Sequence, residues 1–534
     1  MSWMVAVALL SLQRIRTFPA ATLITYEYVG VKQCSMPVQV GLSRLVYSGP
    51  MNWLPDAFDK AARANRSRTA LVEEDRSWTF GELAEESDAI AAMLREKVAG
   101  HAVGVLLLNS QKYVTTLLGV WKAGKTPVPL NYLLPPQELA YIIKDSGMSA
   151  LITSQFFAQA VSAVKPLFGD KGVILMADSP DFAPKASNAS ATYQDPALYL
   201  YTSGTTGKPK GVILTHRNLA TNVEACQRAG GFDHRDSFLC LLPFFHTYAI
   251  TGTILLPLLN GSKMVLVDRF QPLKVMKLIE DHAISVFLAI PSMYRVLAHT
   301  EGDFKLNSVR FPISGGEPLP VAVAEAFEKR FGVPIFEGYG QTEASPVISL
   351  NVPAKRKIGT VGPPLPGVEI AIWDDQKNPV DLDVIGEIMV RGPNVMEGYY
   401  NLPDETSKTM TRGWLHTGDL GTMDAEGFVT ITGRKKDLII SAGENIYPRE
   451  IEEVLAQHPK VKEVAVIGVK DEVRGEVPKA FVIAREGMTV DEKELRHFCR
   501  ENIAGYKVPR HFAVVADLPR TPTGKVLKRL LPAD

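Results

Sequence analysis

Apolar runs alternate with amphipathic segments along most of the chain. Residues Val103–Leu108 form the short, continuous apolar run of a buried strand, and Ser110–Lys122 reads as the helix that follows it. The runs Ala150–Thr153 and Gly172–Met176 continue this alternation of strand and helix. The pattern predicts an α/β fold with doubly wound sheets.

Local signals place one helix start. Trp78–Ala84 opens an amphipathic segment in which Thr79 has the position of an N-cap and Glu82 follows three residues later. This is the pattern of a capping box, in which each residue bonds the other's backbone N–H. We therefore predict that a helix begins directly after Thr79.

The pattern of predicted strands and helices changes in the last third of the chain. Short strands separated by Gly and Pro predict a small β-rich subdomain from about Asn351 to Gly433. From Lys436 onward the pattern predicts a small α+β lid. We expect three parts: an N-terminal extension (1–50), a large domain (51–435) and a mobile C-terminal domain (436–534).

Composition narrows the class of protein. The chain has 534 residues, 46% of them hydrophobic, and its 58 Lys and Arg balance 58 Asp and Glu. This composition is that of a multidomain globular protein, and the zero net charge argues against a nucleic-acid partner. The four cysteines show no metal-ligand spacing, so we expect free thiols in a reducing compartment.

Residues 1–50 are harder to assign. The apolar run Trp3–Leu10 is far shorter than the roughly 20 residues of a membrane-spanning helix, and no cationic residue precedes it. We interpret residues 1–50 as an extension outside the catalytic fold and expect a cytoplasmic protein. A mitochondrial transit peptide is the alternative, because the segment carries arginines and only one acidic residue, Glu27.

The stretch Tyr201–Gly211 has the composition of a phosphate-binding loop. It combines glycines, hydroxyl side chains and two lysines, and so offers bare amide N–H groups, further donors and positive charge. It is not a Walker A loop, since Thr202 stands at the first glycine position and Pro209 follows Lys208. A glycine-rich surface turn is the alternative interpretation of so short a motif.

Two further motifs suit a nucleotide. Ser314–Leu319 follows an apolar run and contains two glycines, so a flat base can lie on its backbone. Gly338–Pro346 places Tyr339 between glycines, then Thr342 as a hydroxyl donor and Glu343 as a hard oxygen ligand suited to Mg²⁺. A third long signature, Gly433–Glu452, lies near the predicted domain boundary.

Together, these motifs resemble the signatures of the adenylate-forming (ANL) superfamily, in particular its acyl-CoA synthetases, and they occur in family order from Met51 onward. The resemblance implies that Tyr339 packs on adenine, Glu343 binds Mg²⁺, and Asp419 accepts hydrogen bonds from the ribose. The residues implied at the ATP or AMP site are Thr202, Ser203, Gly204, Thr205, Thr206, Gly207, Lys208, Gly315, Gly316, Glu317, Tyr339, Gly340, Gln341, Thr342, Asp419, Arg434 and Lys525.

The resemblance also implies catalytic and moving parts. Lys525 would bridge the attacking carboxylate and the α-phosphate, Lys436 would be the hinge, and Gly443 would lie beside a tunnel for the pantetheine thiol. The residues implied in the acyl pocket are Phe245, His246, Tyr248, Gly252 and Met293, with His246 facing the substrate carboxylate. From its chemistry alone, His246 is equally a core or capping histidine.

The activity that this resemblance implies is that of an acid–thiol ligase, which forms acyl-AMP and pyrophosphate from an acid and ATP and then passes the acyl group to CoA. The expected cofactor is Mg²⁺, with ATP and CoA as cosubstrates. The apolar stretch Phe245–Leu256 favours a medium- or long-chain fatty acid, but an aryl acid such as coumarate fits as well. Ile250 stands where some long-chain enzymes carry a gating tryptophan, which leaves chain length open.

Three other functions are compatible with some of these motifs. A ligase that hands acyl-AMP to a carrier protein, and a luciferase-type oxygenase, would share the adenylation motifs. A nucleotide-binding scaffold without activity would be expected to have lost Glu343, Asp419 or Lys525, and all three are present. The pattern predicts no transmembrane segment and does not determine the oligomeric state.

Overall fold

The computed structural model describes residues 53–169, 172–179, 182, 195–203, 208–520 and 526–533. The predictions for residues 1–50, for Gly204, Thr205, Thr206 and Gly207, and for Lys525 therefore lie outside the described residues.

The strands and helices follow one another in regular alternation over the first half of the chain. The strands are β1 (Thr69–Glu73), β2 (Arg76–Thr79), β3 (Ala102–Leu106), β4 (Thr126–Pro129), β5 (Ala150–Thr153), β6 (Val173–Met176), β7 (Leu198–Ser203), β8 (Pro209–Leu214), β9 (Ser237–Cys240), β10 (Lys263–Leu266), β11 (Val286–Ala289), β12 (Phe311–Ser314), β13 (Phe336–Gly340), β14 (Val347–Leu350), β15 (Glu369–Trp373), β16 (Gly386–Arg391), β17 (Gly398–Tyr399), β18 (Met410–Thr411), β19 (Trp414–Met423), β20 (Val429–Arg434), β21 (Ile439–Ser441), β22 (Glu444–Ile446), β23 (Val461–Asp471), β24 (Gly475–Ala484) and β25 (His511–Val514). The α-helices are α1 (Leu54–Ala64), α2 (Phe80–Lys97), α3 (Gln111–Lys122), α4 (Pro136–Asp145), α5 (Ala158–Val164), α6 (His216–Gly230), α7 (Thr247–Ala249), α8 (Leu256–Asn260), α9 (Pro272–Asp281), α10 (Pro291–His299), α11 (Val321–Phe331), α12 (Pro403–Thr409), α13 (Pro448–Ala456) and α14 (Glu492–Asn502).

Two largely parallel sheets form the large part of the molecule. In the described residues, one has eight strands in the order β14-β13-β12-β11-β9-β10-β1-β2, and the other has four in the order β4-β3-β5-β6. Every residue of β11 and β12 is buried, because helices cover both faces of a parallel sheet. The side chains of β11, α9, α10 and α11 share one continuous hydrophobic core. The predicted α/β class is confirmed.

The smaller sheets also follow the prediction. Strands β15, β16, β18, β19 and β20 form an antiparallel sheet within the predicted β-rich region, and β21 to β25 form the sheet of a C-terminal α+β part whose core includes Ile451 and Val482. The exact domain boundaries remain predictions. A short antiparallel sheet, β17-β8-β7, joins a strand of the late sequence to the strands that flank the predicted phosphate loop.

The predicted helix start is confirmed. Thr79 Oγ1 accepts a hydrogen bond from Glu82 N at 3.2 Å, and Thr79 N donates to Glu82 Oε2 at 2.7 Å. Both orphan N–H groups are therefore satisfied at the first turn of α2.

Candidate active site

Two groups of predicted site residues lie at the carboxyl ends of neighbouring parallel strands. Strand β12 ends at Ser314, directly before the Gly315–Glu317 loop, and its neighbour β13 carries Tyr339 and Gly340 at its end. In parallel α/β sheets, ligands bind at this edge. The fold thus brings two motifs together that are separated by a whole helix in the sequence.

The predicted phosphate loop connects a β-hairpin. Strands β7 and β8 are antiparallel and pair Tyr201 with Gly211 and Thr202 with Lys210. The phenol ring of Tyr201 lies over Gly211, since a methyl group there would be 3.0 Å from Tyr201 Cζ. Tyr201 Oη donates to Asp145 Oδ2 at 2.6 Å, which ties the hairpin to the end of α4.

The two lysines of the hairpin have different surroundings. Lys208 is exposed, with Nζ 6.0 Å from the centre of the Tyr141 ring. Lys210 is largely buried, and its Nζ pairs with Glu405 Oε2 at 2.7 Å. The ion pairs with Lys210, first, and with Lys408 lower the pKa of Glu405 to about 2. Of the two lysines, Lys210 is therefore held by Glu405, whereas Lys208 is exposed.

The Gly315–Glu317 loop has an open backbone. Gly316 has φ +85°, a conformation that favours glycine, and a methyl group on Gly315 would lie 3.0 Å from Tyr248 Oη. Tyr248 thus packs directly on the backbone of Gly315, so a predicted acyl-pocket residue and a predicted nucleotide residue are in contact. Glu317 is half-buried and lies near the guanidinium of Arg520.

Tyr339, Asp419 and Arg434 form a connected group. Tyr339 Oη donates to Asp419 Oδ2 at 2.7 Å, and Arg434 Nε lies 3.0 Å from Asp419 Oδ1. Asp419 is buried, whereas the Arg434 side chain is 45% exposed. The carboxylate is thus held from two sides. Burial, with the nearby Asp419 as a second cause, raises the pKa of Tyr339.

The turn after β13 carries Thr342 and Glu343. Thr247 Oγ1 donates to Thr342 Oγ1 at 3.1 Å, which links this turn to α7. A methyl group on Gly340 would lie 2.0 Å from Pro346 O, so only glycine allows the close approach of these backbones. Gln341 is half-buried, and its Nε2 has no hydrogen-bond partner among the described residues.

Glu343 is half-buried, and its Oε1 accepts a hydrogen bond from Tyr399 Oη at 2.9 Å. Burial raises the pKa of Glu343. Within the described residues no three His, Cys, Asp or Glu side chains converge as a metal site. A single carboxylate together with substrate phosphates is the usual environment of Mg²⁺, which these residues fit.

The predicted acyl-pocket residues surround α7 and the π-helical turn Ile250–Leu255 that follows it. Phe245 is buried, with its ring edge-to-face against Tyr132 at 4.9 Å between ring centres. His246 is exposed at the start of α7. Gly252 lies within the π-helical turn, a feature common at functional sites. Met293 is half-buried on α10 and packs against the core of the large sheet.

A cleft of about 2780 Å³ separates the large part from the C-terminal part. Tyr339, Asp419 and Arg434 line one side, and Arg449 and Lys528 line the other. A nucleotide bound to the first group would therefore face the C-terminal part.

The predicted hinge has one anchored and one exposed lysine. Lys435 Nζ lies 2.9 Å from Asp375 Oδ1 and 3.3 Å from Glu387 Oε2, whereas the next residue, Lys436, is exposed. Gly443 has φ +89° and lies on the exposed turn between β21 and β22. Its place beside a thiol tunnel remains a prediction.

The tail that carries Lys525 is described on either side of residues 521–525. Arg520 and Val526 form an isolated antiparallel β-bridge, and Leu527 N donates to Pro519 O at 2.7 Å. Arg520 pairs with Glu463 at 2.6 Å, and Lys528 pairs with Glu452 at 2.7 Å. Both ends of the Lys525 segment are therefore attached to the C-terminal sheet and its helix.

Sequence reasoning missed several residues that hold the site. Tyr399, Asp145, Thr247 and Glu405 contact predicted site residues, but they lie 56 to 195 positions from their partners. The signal available was weak, since Tyr399 follows a glycine in a Gly-Tyr-Tyr string with no distinctive spacing to Glu343.

The fold and the site define a class of two-part α/β enzymes that act on nucleotides at the carboxyl edge of a parallel sheet. The AMP-binding enzyme model matches residues 58–400, and the model of the AMP-binding enzyme C-terminal domain matches residues 450–525. The chain belongs to the AMP-binding enzyme family and is an ATP-dependent acyl-CoA synthetase of the ANL superfamily.

Relatives with different acids resemble the chain about equally. A long-chain-fatty-acid–CoA ligase of Bacillus subtilis (strain 168) is 36% identical and covers 89% of this chain and 92% of its own. A feruloyl-CoA synthase of Amycolatopsis sp. is 35% identical, covering 88% and 96%. The structure of o-succinylbenzoate coenzyme A synthetase from Bacillus subtilis with ATP and magnesium ion has a TM-score of 0.81 and 33% identity, covering 89% and 98%.

Among the described residues, no helix combines the length and the apolar character that a membrane span requires.

Proposed function

We propose that this synthetase activates a medium- or long-chain fatty acid as acyl-AMP, releases pyrophosphate and transfers the acyl group to CoA. The observation that carries the proposal is the composition of the segment Phe245–Leu256 at the predicted acyl pocket, which contains no Asp, Glu, Lys or Arg. Phe245 and Ile250 are buried in this segment, and the proposed pocket residue Met293 is on α10. An apolar pocket lining favours an acid with one carboxylate and an apolar tail.

The nucleotide would bind at the edge of the large sheet. The adenine ring would pack on Tyr339 above the open backbone of Gly315 and Gly316, and Asp419 would accept the ribose hydroxyls. Asp419 is suited to this role because its two oxygens are already oriented by Tyr339 and Arg434. A ligand acceptor that is oriented in advance loses less entropy on binding.

The chemistry requires that charge be neutralised. A carboxylate and a triphosphate repel each other, so catalysis depends on alignment and on cations rather than on a strong base. Mg²⁺, held by Glu343, would supply charge at the phosphates. Lys208 is the exposed lysine of the hairpin, and Lys525 would add the second protein cation. His246, exposed at the start of α7, would face the substrate carboxylate.

Two half-reactions would use one site in turn. We infer that residues 436–534 rotate about Lys436 after adenylation, which withdraws Lys525 and brings Gly443 to the acyl-AMP. The anchoring of Lys435 to Asp375 and Glu387 supports this axis, because it fixes the chain up to the residue before Lys436. Such domain closure is a common way to exchange one set of catalytic groups for another.

A substrate screen tests the choice of acid. Pyrophosphate release is measured with acids from hexanoate to palmitate and with coumarate and ferulate, each with and without CoA. We expect the highest kcat/KM with the fatty acids and a thioester product only when CoA is present. A preference for coumarate or ferulate would replace the fatty acid with an aryl acid, and turnover without CoA consumption would indicate a carrier-protein acceptor.

The variant Lys525→Ala tests the two-state proposal. We expect it to lose most of the adenylation rate while it retains thioester formation from supplied acyl-AMP, because the lysine serves only the first half-reaction. Lys493→Ala, which alters an exposed lysine of α14, is the matched control and should leave both half-reactions unchanged. Equal loss of both half-reactions in Lys525→Ala would contradict the proposal.

A further inference from the structure

The segment Asn394–Glu405 connects the two halves of the predicted site. It follows β16, and none of its residues was assigned a role in the sequence. Asn394 Nδ2 donates to Ala344 O at 2.9 Å, and Met396 N donates to Glu343 O at 2.8 Å. The main chain of the turn that carries Glu343 is therefore held by this segment.

The same segment is joined to the hairpin of the predicted phosphate loop. Strand β17 is antiparallel to β8 and pairs Tyr399 with Val212, and Tyr400 N donates to Gly211 O at 2.7 Å. The ammonium of Lys210 lies 5.3 Å from the centre of the Tyr399 ring. Lys210 also forms an ion pair with Glu405, which lies only six residues beyond Tyr399. The segment therefore contacts the side chain of Lys210 at two positions.

Tyr399 therefore has its backbone in the sheet of the phosphate hairpin and its hydroxyl on Glu343 Oε1, 2.9 Å away. We propose that Tyr399 is a positioning residue, whose hydroxyl sets the orientation of the Glu343 carboxylate for a divalent cation shared with the ATP phosphates. This inference rests on the proposed metal role of Glu343. The arrangement connects the carboxylate to the hairpin that is predicted to bind those phosphates.

The alternative is that the hydrogen bond only stabilises the fold. The two roles differ in what they change: partners that orient a metal ligand alter metal affinity, typically by about 10- to 100-fold. A purely structural bond alters stability and leaves the affinity for the cation alone. The test must therefore measure cation binding as well as turnover.

The test uses Mn²⁺ and ATP with the full-length chain and without acid, so that no turnover occurs. Binding of Mn²⁺ to the enzyme–ATP complex is followed by electron paramagnetic resonance, and binding of AMP is measured without metal. For Tyr399→Phe we expect Mn²⁺ affinity to fall about 10- to 100-fold while AMP affinity stays within about twofold of wild type. The Mg²⁺ concentration for half-maximal adenylation should rise by the same factor.

The neighbouring tyrosine provides a matched control. The ring of Tyr400 is tilted against that of Tyr199 on β7, with 4.6 Å between ring centres, whereas the hydroxyl that donates to Glu343 Oε1 is that of Tyr399. Tyr400→Phe should therefore retain wild-type Mn²⁺ affinity. Unchanged Mn²⁺ affinity in Tyr399→Phe, or an equal loss in both variants, would overturn the inference.

The variant Glu343→Gln separates failure of this inference from failure of the proposed metal role. If Glu343→Gln lowers Mn²⁺ affinity and Tyr399→Phe has no further effect in that background, the two residues act together as proposed. If Glu343→Gln loses affinity but Tyr399→Phe alone does not, only the positioning role is wrong. If Glu343→Gln keeps wild-type affinity, the metal role is wrong and the inference falls with it.

Discussion

Tyr339 and Asp419 are 80 positions apart in the sequence, and a hydrogen bond of 2.7 Å joins them at the edge of the large sheet. The acceptor is a buried carboxylate, and its other oxygen faces Arg434 at 3.0 Å. A residue predicted to stack on adenine and a residue predicted to hold ribose thus form one unit. The two predicted contacts with the nucleoside should therefore be energetically coupled.

Replacing Asp419 should weaken recognition of the ribose. In Asp419→Asn the acceptor loses its charge, and hydrogen bonds to a charged group contribute about 1.5–3 kcal/mol, so we expect KM for ATP to rise about 10- to 100-fold. Wild type should discriminate against 3′-deoxy-ATP, whereas Asp419→Asn should treat ATP and 3′-deoxy-ATP nearly alike. Steady-state kinetics with both nucleotides measure this.

Tyr339→Phe is the control for that experiment. It keeps the aromatic ring and the Arg434–Asp419 contact, so its loss should be smaller than that of Asp419→Asn. An Asn variant that still discriminates against 3′-deoxy-ATP as strongly as wild type would show that Asp419 does not bind the ribose.

Glu337 should make the stability of the molecule depend on pH. It is buried on β13, accepts a hydrogen bond from Leu319 N at 3.0 Å, and lies near Arg449 and Glu453 of the C-terminal part. Burial raises its pKa from 4.5 to about 7. Folding therefore favours the protonated form, and this stabilising contribution is complete below pH 4.5 and lost as the pH rises toward about 7.

The variant Glu337→Gln removes this dependence. A shift from 4.5 to about 7 corresponds to at most about 3 kcal/mol, since one pKa unit equals about 1.4 kcal/mol. We expect the thermal midpoint of Glu337→Gln to rise relative to that of wild type as the pH increases from 5 to about 8. Glu325→Gln, which alters an exposed residue of α11, should show the same pH dependence of the thermal midpoint as wild type. Parallel curves for wild type and Glu337→Gln would contradict the prediction.

The sequence predicted those parts of the fold and of the site that are local in the chain. Thr79 and Glu82 are three residues apart, and the Gly315–Glu317 loop directly follows its strand, so pattern and turn chemistry were sufficient for both. The ends of neighbouring parallel strands must meet at one edge, which is why the Tyr339 and Gly315 motifs could be expected in one site.

The contacts that hold the site could not be predicted in this way. Lys210 pairs with Glu405 across 195 positions, and Tyr399 reaches Glu343 only because the two-residue strand β17 adds to the hairpin. A two-residue strand has no periodicity to recognise. Composition shows that a lysine is present in a loop, whereas its partner depends on tertiary structure.

Gly252 and Leu288 lie next to each other beside the predicted acyl pocket. A methyl group on Gly252 would lie 2.4 Å from Leu288 Cδ2, and Leu288 is 3% exposed on β11. Gly252→Ala should therefore overpack this contact and lower the free energy of unfolding by about 1–3 kcal/mol. Leu288→Ala should leave a cavity and cost about 2–5 kcal/mol.

Combining the two substitutions should recover part of the loss, because the alanine methyl occupies space that the shortened Leu288 vacates. Urea denaturation of both single variants and the double variant measures this coupling. Leu273→Ala, at an exposed leucine, is the control and should change stability by less than about 0.5 kcal/mol.

Since the contact borders the predicted pocket, Leu288→Ala should also raise the ratio of palmitate to hexanoate activity, and Gly252→Ala should lower it. Strictly additive losses would show that the two side chains do not share one space, and an unchanged activity ratio would place the acyl chain elsewhere.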